Sequence, residues 1–161
     1  MQLVSDNINH ILALLRQGPI CLENATRGID AKHLSLRTEE EPWSVGDILA
    51  HLRACSDVWG DSIMKMLTQE NPVQRYVSPR SLLRKPEYTD PPFETALESF
   101  AQARKNLLKM LEGLDEASWA RSGTFTGTSP RARDQTVFSY AERIVNHEQD
   151  HLAQIEMLLR G

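Results

Sequence analysis

Apolar residues recur at helical spacing in four segments of this chain, and this periodicity constrains the fold more than any other feature. Residues three and four positions apart share one face of a helix, whereas a half-buried strand alternates with period two. No segment of useful length alternates in that way. The helical segments carry Ile8, Ile11, Leu12 and Leu15; Ile48, Leu49, Leu52, Cys55, Trp59, Ile63 and Met66; Phe93, Leu97, Phe100, Leu107, Leu108 and Leu111; and Val137, Ala141, Ile144, Val145, Leu152, Ile155 and Leu159. Four amphipathic helices in 161 residues predict an all-α fold, a four-helix bundle in a single domain over residues 1–161.

Caps and prolines predict where these helices begin and end. Ser44 can cap the second long helix, and Asp47, three residues on, completes a capping box. Gly18-Pro19 is predicted to end the first helix, and Pro19 can open a second short one. The proline-rich residues 71–92 and the Gly-, Ser- and Thr-rich residues 113–134 are long connections. They indicate a long crossover or a lid over a site, although 71–92 could simply carry the chain between bundle ends.

Charge and composition exclude several classes of protein. A formal net charge of -4 argues against a nucleic-acid binder, which needs a clustered basic surface. No stretch approaches the roughly 20 apolar residues of a membrane span, and the N-terminus has polar residues where a signal peptide is apolar. Two cysteines do not form a disulfide framework. We therefore predict a cytoplasmic protein that acts on a small molecule, with neither a membrane nor a nucleic acid as partner.

The segment "RIVNHEQDHLAQIEMLLRG" contains His147-Glu148-x-x-His151, which fits the H-E-x-x-H motif of zinc proteases. Two histidines four residues apart can hold one ion from one helix face, but a durable site needs a third ligand. Proteases with this motif take that ligand from further downstream. Here Met157 occupies the position of a further histidine, and Glu156 lies on the same helix end. The sequence therefore predicts that the chain is not a protease.

The third ligand must then come from upstream of His147. His51 is the best placed, because it lies midway along the second long helix beside apolar residues. Three neutral imidazoles from two helices would leave positions open for water or substrate, as in catalytic sites. The alternative is that His51 is a hydrogen-bonded histidine at a helix edge and the other pair is exposed to solvent. The other upstream candidates are His10, His33, Cys55 or an acidic residue.

These residues together resemble a known family, the DinB/YfiT-like metalloproteins. The resemblance runs in order from about residue 10 to residue 158. Its motifs are Trp43-Ser44-x-x-Asp47-x-Leu49-x-His51-Leu52, Phe100-x-x-x-Arg104, Trp119-x-Arg121 and His147-x-x-x-His151-Leu152-Ala153-Gln154-Ile155.

The resemblance implies a four-helix bundle with a long crossover connection, often a homodimer. It implies that His51, His147 and His151 bind a divalent metal, which is zinc, nickel or manganese in different members. Members of the family include metal-dependent hydrolases and transferases or isomerases that use low-molecular-weight thiols. Many members also place an acidic residue shortly after the first histidine, where this chain has Arg53-Ala54-Cys55-Ser56.

Three further side chains could carry chemistry at such a site. Glu148 falls within the apolar arc of its helix, so it is a candidate base or an acceptor that fixes a histidine tautomer, or else reaches solvent or an arginine. Arg104 interrupts an apolar stripe and could pair with Glu148, bind an anionic substrate, or extend to solvent. Cys55 could be a fourth ligand or a nucleophile, but a small buried apolar side chain is the better expectation.

Two classes of function follow from the sequence. The first is an enzyme, a metal-dependent hydrolase or a transferase dependent on a low-molecular-weight thiol. The second is a non-catalytic metal-binding bundle, a structural or stress-related dimer.

Overall fold

A computed structural model describes residues 2–127 and 133–160 of the chain. The strands are β1 (Val73–Arg75), β2 (Ser122–Thr126) and β3 (Arg133–Thr136). The helices are, in chain order, α1 (Gln2–Thr26), α2 (Ala31–Leu34), α3 (Val45–Thr68), α4 (Pro86–Thr89), α5 (Phe93–Glu112), α6 (Glu116–Trp119) and α7 (Val137–Arg160), with a 3-10 helix over Pro79–Arg84.

The four long helices form a bundle in which α1 and α3 each pack against both α5 and α7. Helix α1 therefore lies diagonally across from α3, and α5 lies diagonally across from α7. The connection from α1 to α3 and the connection from α5 to α7 each cross a diagonal of the bundle, so both must be long. The predicted all-α four-helix bundle with a crossover is confirmed. This arrangement also brings α3 beside α7, the two helices that carry the histidines of interest.

The predicted apolar faces supply the core of the bundle. Side chains such as Leu15, Ile48, Leu111 and Ile155 are fully buried between the long helices. Each such side chain stabilises the fold by about 1.5–3 kcal/mol relative to its exposed state. The opposite faces are polar, and no helix within the described residues has the length and apolarity needed to cross a membrane.

Helix α3 begins as predicted, at a capping box. Ser44 Oγ accepts a hydrogen bond from the Asp47 backbone N–H, and Asp47 Oδ2 accepts one from the Ser44 N–H. Arg37 donates to both carboxylate oxygens of Asp47 at 2.6 Å. These contacts fix the start of the helix that positions His51.

The predicted break at Gly18-Pro19 is wrong, because α1 runs without interruption through both residues. Proline has no N–H, so the carbonyl of Leu15 loses its helical donor. Arg104 Nη1 replaces that donor, with a hydrogen bond to the Leu15 carbonyl at 2.9 Å. A side chain from another helix thus satisfies the backbone group that the proline leaves unpaired, which a local pattern could not reveal.

A small three-stranded sheet beside the bundle was not predicted. Strand β2 pairs in parallel with β1 and antiparallel with β3. Its buried positions do alternate, but they are Gly123 and Phe125 in the sequence Ser-Gly-Thr-Phe-Thr, so the sequence shows little apolar periodicity. The predicted connection over residues 113–134 contains α6, β2 and the start of β3, and residues 128–132 of it lie outside the described part of the chain.

Candidate metal centre

Three imidazoles meet where α3 faces α7. His51 comes from α3, and His147 and His151 are one turn apart on α7. The Nε2 atoms of His51 and His147 are 3.1 Å apart, and those of His147 and His151 are 3.2 Å apart. The ligand atoms of all three lie within 4.8 Å of one another. Of the other candidate histidines, His10 is exposed on α1 and His33 lies in the short helix α2, and neither belongs to this cluster.

The spacing and protonation of these rings fit a divalent cation. Two nitrogen ligands at about 2.0–2.1 Å from a tetrahedral ion lie roughly 3.3 Å from each other, close to the separations seen here. Burial, followed by the charge of the neighbouring histidines, lowers the pKa of His51 to about 4. Burial likewise lowers the pKa of His147 to about 4. Both rings are therefore neutral at neutral pH and have lone pairs available for a cation.

Gln154 orients the third imidazole. Its Oε1 lies 3.0 Å from Nδ1 of His151. An amide oxygen only accepts hydrogen bonds, so this contact favours the tautomer of His151 that is protonated on Nδ1, in which Nε2 presents its lone pair to the cluster. We did not single out Gln154 for this role from the sequence, although its position three residues after His151 on one helix face was the available signal.

Two tryptophans enclose the imidazoles. The ring of Trp43 meets that of His51 edge to face at a centroid distance of 5.1 Å and stacks on that of His151 at 6.5 Å. Trp59 meets His147 edge to face at 5.1 Å. These rings limit the rotation of the three histidine side chains. Trp43 and Trp59 therefore order the cluster in addition to packing in the bundle.

The cluster lies on an open cavity of about 530 Å³. Ser78, Pro79 and Arg80, from the connection between α3 and α5, form one of its walls. This part of residues 71–92 therefore borders the cluster as well as linking helices. The complete lining is His51, Cys55, Trp59, Tyr76, Ser78, Pro79, Arg80, Arg143, Asn146, His147, Asp150 and His151.

Cys55 also borders the cavity, one turn after His51 on α3. Its Sγ lies 3.6 Å from Nε2 of His51, and its side chain is buried in the apolar core. Burial raises the pKa of the thiol to about 12. The thiol is accordingly protonated at neutral pH.

Arg104 and Glu148 form a buried ion pair. Arg104 Nη1 donates to Glu148 Oε1 at 2.9 Å, and Nη2 donates to Oε2. The two side chains are only 2% and 6% exposed. This pairing was one of the alternatives that the sequence predicted for each residue. Glu148 does not line the cavity at the histidine cluster. The pair instead joins α5 to α7, and the bond from Arg104 to Leu15 extends it to α1.

The fold is a helical bundle, and three histidines from two of its helices meet at an open cavity. These features together define a class of candidate metal-binding proteins. The family model of the DinB superfamily matches residues 14–155, and the chain belongs to this superfamily. One solved structure with a similar fold is YfiT from Bacillus subtilis, described as a probable metal-dependent hydrolase with an unusual four-helix bundle topology. It superposes with a TM-score of 0.83 over 95% of this chain and 86% of its own chain, at 18% sequence identity. No curated protein matches the chain.

Proposed function

We propose that this chain is a metal-dependent enzyme whose divalent ion is held by His51, His147 and His151. One observation carries the proposal: three buried or half-buried imidazoles converge on one point at an open cavity. His51 and His147 are neutral at neutral pH, because burial lowers the pKa of each to about 4. Membership of the DinB superfamily supports the same assignment. Three protein ligands leave coordination positions for a substrate, as catalytic zinc sites do.

A bound ion of this kind supplies Lewis acidity, which polarises a carbonyl or lowers the pKa of a water or thiol. The residues of the chain prepare its surroundings. Gln154 favours the tautomer of His151 that is protonated on Nδ1, and Trp43 and Trp59 cover the imidazole rings. Asp150 is the carboxylate in the cavity lining and could accept a proton from a group bound there.

The reaction that we propose is hydrolysis of a small molecule, or transfer to or from a low-molecular-weight thiol. The description of YfiT as a probable metal-dependent hydrolase favours hydrolysis. A non-catalytic metal-binding bundle is the second candidate, but an open cavity beside the ligands favours an enzyme. Zinc and nickel suit a set of imidazole ligands, and manganese is a further possibility for the ion.

The proposal also covers the oligomeric state of the protein, its location in the cell and the roles of Glu148 and Arg104. A homodimer is implied by the family resemblance. A cytoplasmic location agrees with two cysteines that remain free, Cys21 exposed and Cys55 buried. Glu148 and Arg104 enter as supporting residues, because their pair ties α7 to α5 close to His147. A direct role for either one in the reaction would require this pair to open.

Metal content of purified variants tests the proposal. The full-length protein, loaded with zinc and then desalted, should retain about one ion per chain. His51→Ala, His147→Ala and His151→Ala should each lose most of it, since two imidazoles do not hold an ion durably. His10→Ala is a matched control, because His10 is an exposed histidine on α1, and it should retain the wild-type content.

A His51→Ala protein with full metal content and a native circular dichroism spectrum would overturn the three-histidine site. Turnover is then sought with amide and ester hydrolysis screens and with thiol-transfer screens. If metal is bound but the loaded protein shows no chelator-sensitive turnover on any of these substrates, the second candidate takes precedence.

A further inference from the structure

An arginine lies over the ring of each tryptophan that encloses the histidine cluster. On one side, Arg143 lies one turn before His147 on α7, and its Cζ is 5.4 Å from the ring centroid of Trp59. Trp59 in turn contacts His147. Arg143 also lies over Tyr76 at 5.8 Å and Tyr140 at 5.6 Å, so aromatic faces surround its guanidinium.

Arg80 occupies the corresponding place on the other side. It belongs to the 3-10 helix, and its Cζ is 5.1 Å from the ring centroid of Trp43. Trp43 contacts both His51 and His151. An imidazole, a tryptophan and a guanidinium therefore follow one another on both sides of the cluster, although the two arginines come from distant parts of the chain.

A guanidinium that lies over an aromatic ring can still donate hydrogen bonds from its edge. That edge has up to five N–H donors in a fork that matches the oxygens of a carboxylate or a phosphate. Within residues 2–127 and 133–160, neither Arg80 nor Arg143 has a carboxylate oxygen within 4.0 Å, whereas other arginines of the chain do. Both residues line the cavity, and both are exposed to solvent.

The charges of the cavity favour an anionic occupant. The lining residues carry two guanidiniums, those of Arg80 and Arg143, and a single carboxylate, that of Asp150. A divalent cation at the three histidines would add more positive charge. A neutral or cationic substrate would leave this excess unbalanced, whereas an oxyanion would neutralise part of it and could bind both arginine edges.

We propose that the cavity takes small molecules with an oxyanion group, a carboxylate or a phosphate, which Arg80 and Arg143 bind beside the histidine cluster. This inference rests on the proposed function only in placing the rest of the substrate at the metal. The two arginines are thus specificity-determining residues. They select for charge, while the metal centre acts on another part of the molecule.

Binding of two probes, succinate and inorganic phosphate, tests this inference by calorimetry on the full chain, both zinc-loaded and metal-free. Arg80→Gln and Arg143→Gln should each weaken binding on the order of tenfold or more, the scale of a charge-assisted hydrogen bond. Arg80→Lys and Arg143→Lys keep the charge and should lose less. Arg27→Gln, which removes a charge at an exposed arginine outside the cavity, should bind as the wild type does.

Succinamide, the uncharged analogue of succinate, should not bind, and added salt should weaken the binding of both anions. The tighter of the two anions indicates whether the substrate carries a carboxylate or a phosphate. The inference is overturned if the folded Arg80→Gln/Arg143→Gln double variant binds both probes as tightly as the wild type, or if neither probe binds the wild type.

The same measurements separate the two proposals. Arginine-dependent anion binding by a protein that retains no metal would support this inference and contradict the metal-dependent function. Retention of zinc through the three histidines without arginine-dependent anion binding would do the opposite.

Discussion

Gly18 is the residue that lets the buried ion pair form against α1. A Cβ atom at this position would overlap Oε1 of Glu148 and lie 3.1 Å from Nη1 of Arg104. The next residue, Pro19, leaves the Leu15 carbonyl without a helical donor, and Arg104 occupies that vacancy. Two residues that normally disfavour a helix interior are therefore tolerated here. Gly18 makes room for the Arg104–Glu148 pair, and Pro19 leaves a carbonyl that accepts a hydrogen bond from Arg104.

We expect Gly18→Ala to destabilise the protein although alanine favours helix. Replacing a helical glycine by alanine ordinarily gains up to about 1 kcal/mol, but here the new methyl group displaces the Glu148 carboxylate. Separating a buried ion pair costs about 3–5 kcal/mol, so we expect a net loss of roughly 2–4 kcal/mol. Urea denaturation measures the difference. Gly60→Ala is the matched control, since a Cβ there meets nothing within 4 Å, and it should be neutral or stabilising.

Glu148→Gln separates the structural role of this residue from a catalytic one. The amide removes the charge that balances Arg104, a residue only 2% exposed, so the free energy of unfolding should fall by about 3 kcal/mol. Zinc content per folded chain should remain unchanged, because Glu148 does not line the cavity. Unchanged stability together with a rate about 10²-fold lower on any substrate found would instead indicate a base at the reaction centre.

At the scale of elements, the capping box of α3 contributes to the stability of the fold, and this contribution depends on pH. The Arg37 guanidinium holds the pKa of Asp47 below its usual range, with help from the backbone and side chain of Ser44. A lowered pKa in the folded state stabilises the protein at pH values above the unfolded-state pKa, about 3.9. This contribution is lost as the pH falls through the folded-state pKa.

The stability difference between wild type and Asp47→Asn should therefore be full at neutral pH and shrink below about pH 4. Ser44→Ala removes the other half of the box and should cost about 1 kcal/mol. Its pH dependence should be smaller than that of Asp47→Asn, because the hydroxyl contributes less than Arg37 does to the lowering of the Asp47 pKa. Denaturation at several pH values compares the two variants. A difference for Asp47→Asn that stayed constant down to pH 2 would show that its charge is not involved.

Local patterns were sufficient to predict the long helices and to single out His51, His147 and His151 as candidates, whereas their assignment as one set of ligands also depended on the family resemblance. The box at Ser44 predicts the start of α3, and the i, i+4 spacing of His147 and His151 predicts that they share a helix face. The position of His51 among Leu52 and Ile48 predicts that it faces the bundle interior. In each case the signal depends on residues within one or two turns of each other.

The features that were missed depend on residues far apart in the chain. The continuity of α1 through Pro19 requires a donor from Arg104, 85 positions away by number. The approach of Arg80 to Trp43 depends on how the connection between α3 and α5 folds back. The small sheet pairs residues near 74 with residues near 125. Periodicity does not contain this information, because each of these contacts forms only once the bundle has assembled.

At the scale of the whole molecule, an ion shared between α3 and α7 would link metal binding to global stability. The ligands come from two helices that separate on unfolding, so the folded state should bind the ion much more tightly than the unfolded chain does. Mass action then stabilises the fold by about 2.7 kcal/mol at a free metal concentration of 100 times the Kd. For a chain of this size, that corresponds to a rise in Tm of roughly 5–10 °C.

We therefore expect a chelator to lower the Tm of the zinc-loaded wild type by several degrees, and zinc added in excess of the chelator to restore it. Neither treatment should change the Tm of His51→Ala, whose α3 no longer provides a ligand. His10→Ala should respond as the wild type does. Differential scanning calorimetry makes the comparison, and an equal response in His51→Ala and the wild type would show that the stabilising ion binds somewhere other than between α3 and α7.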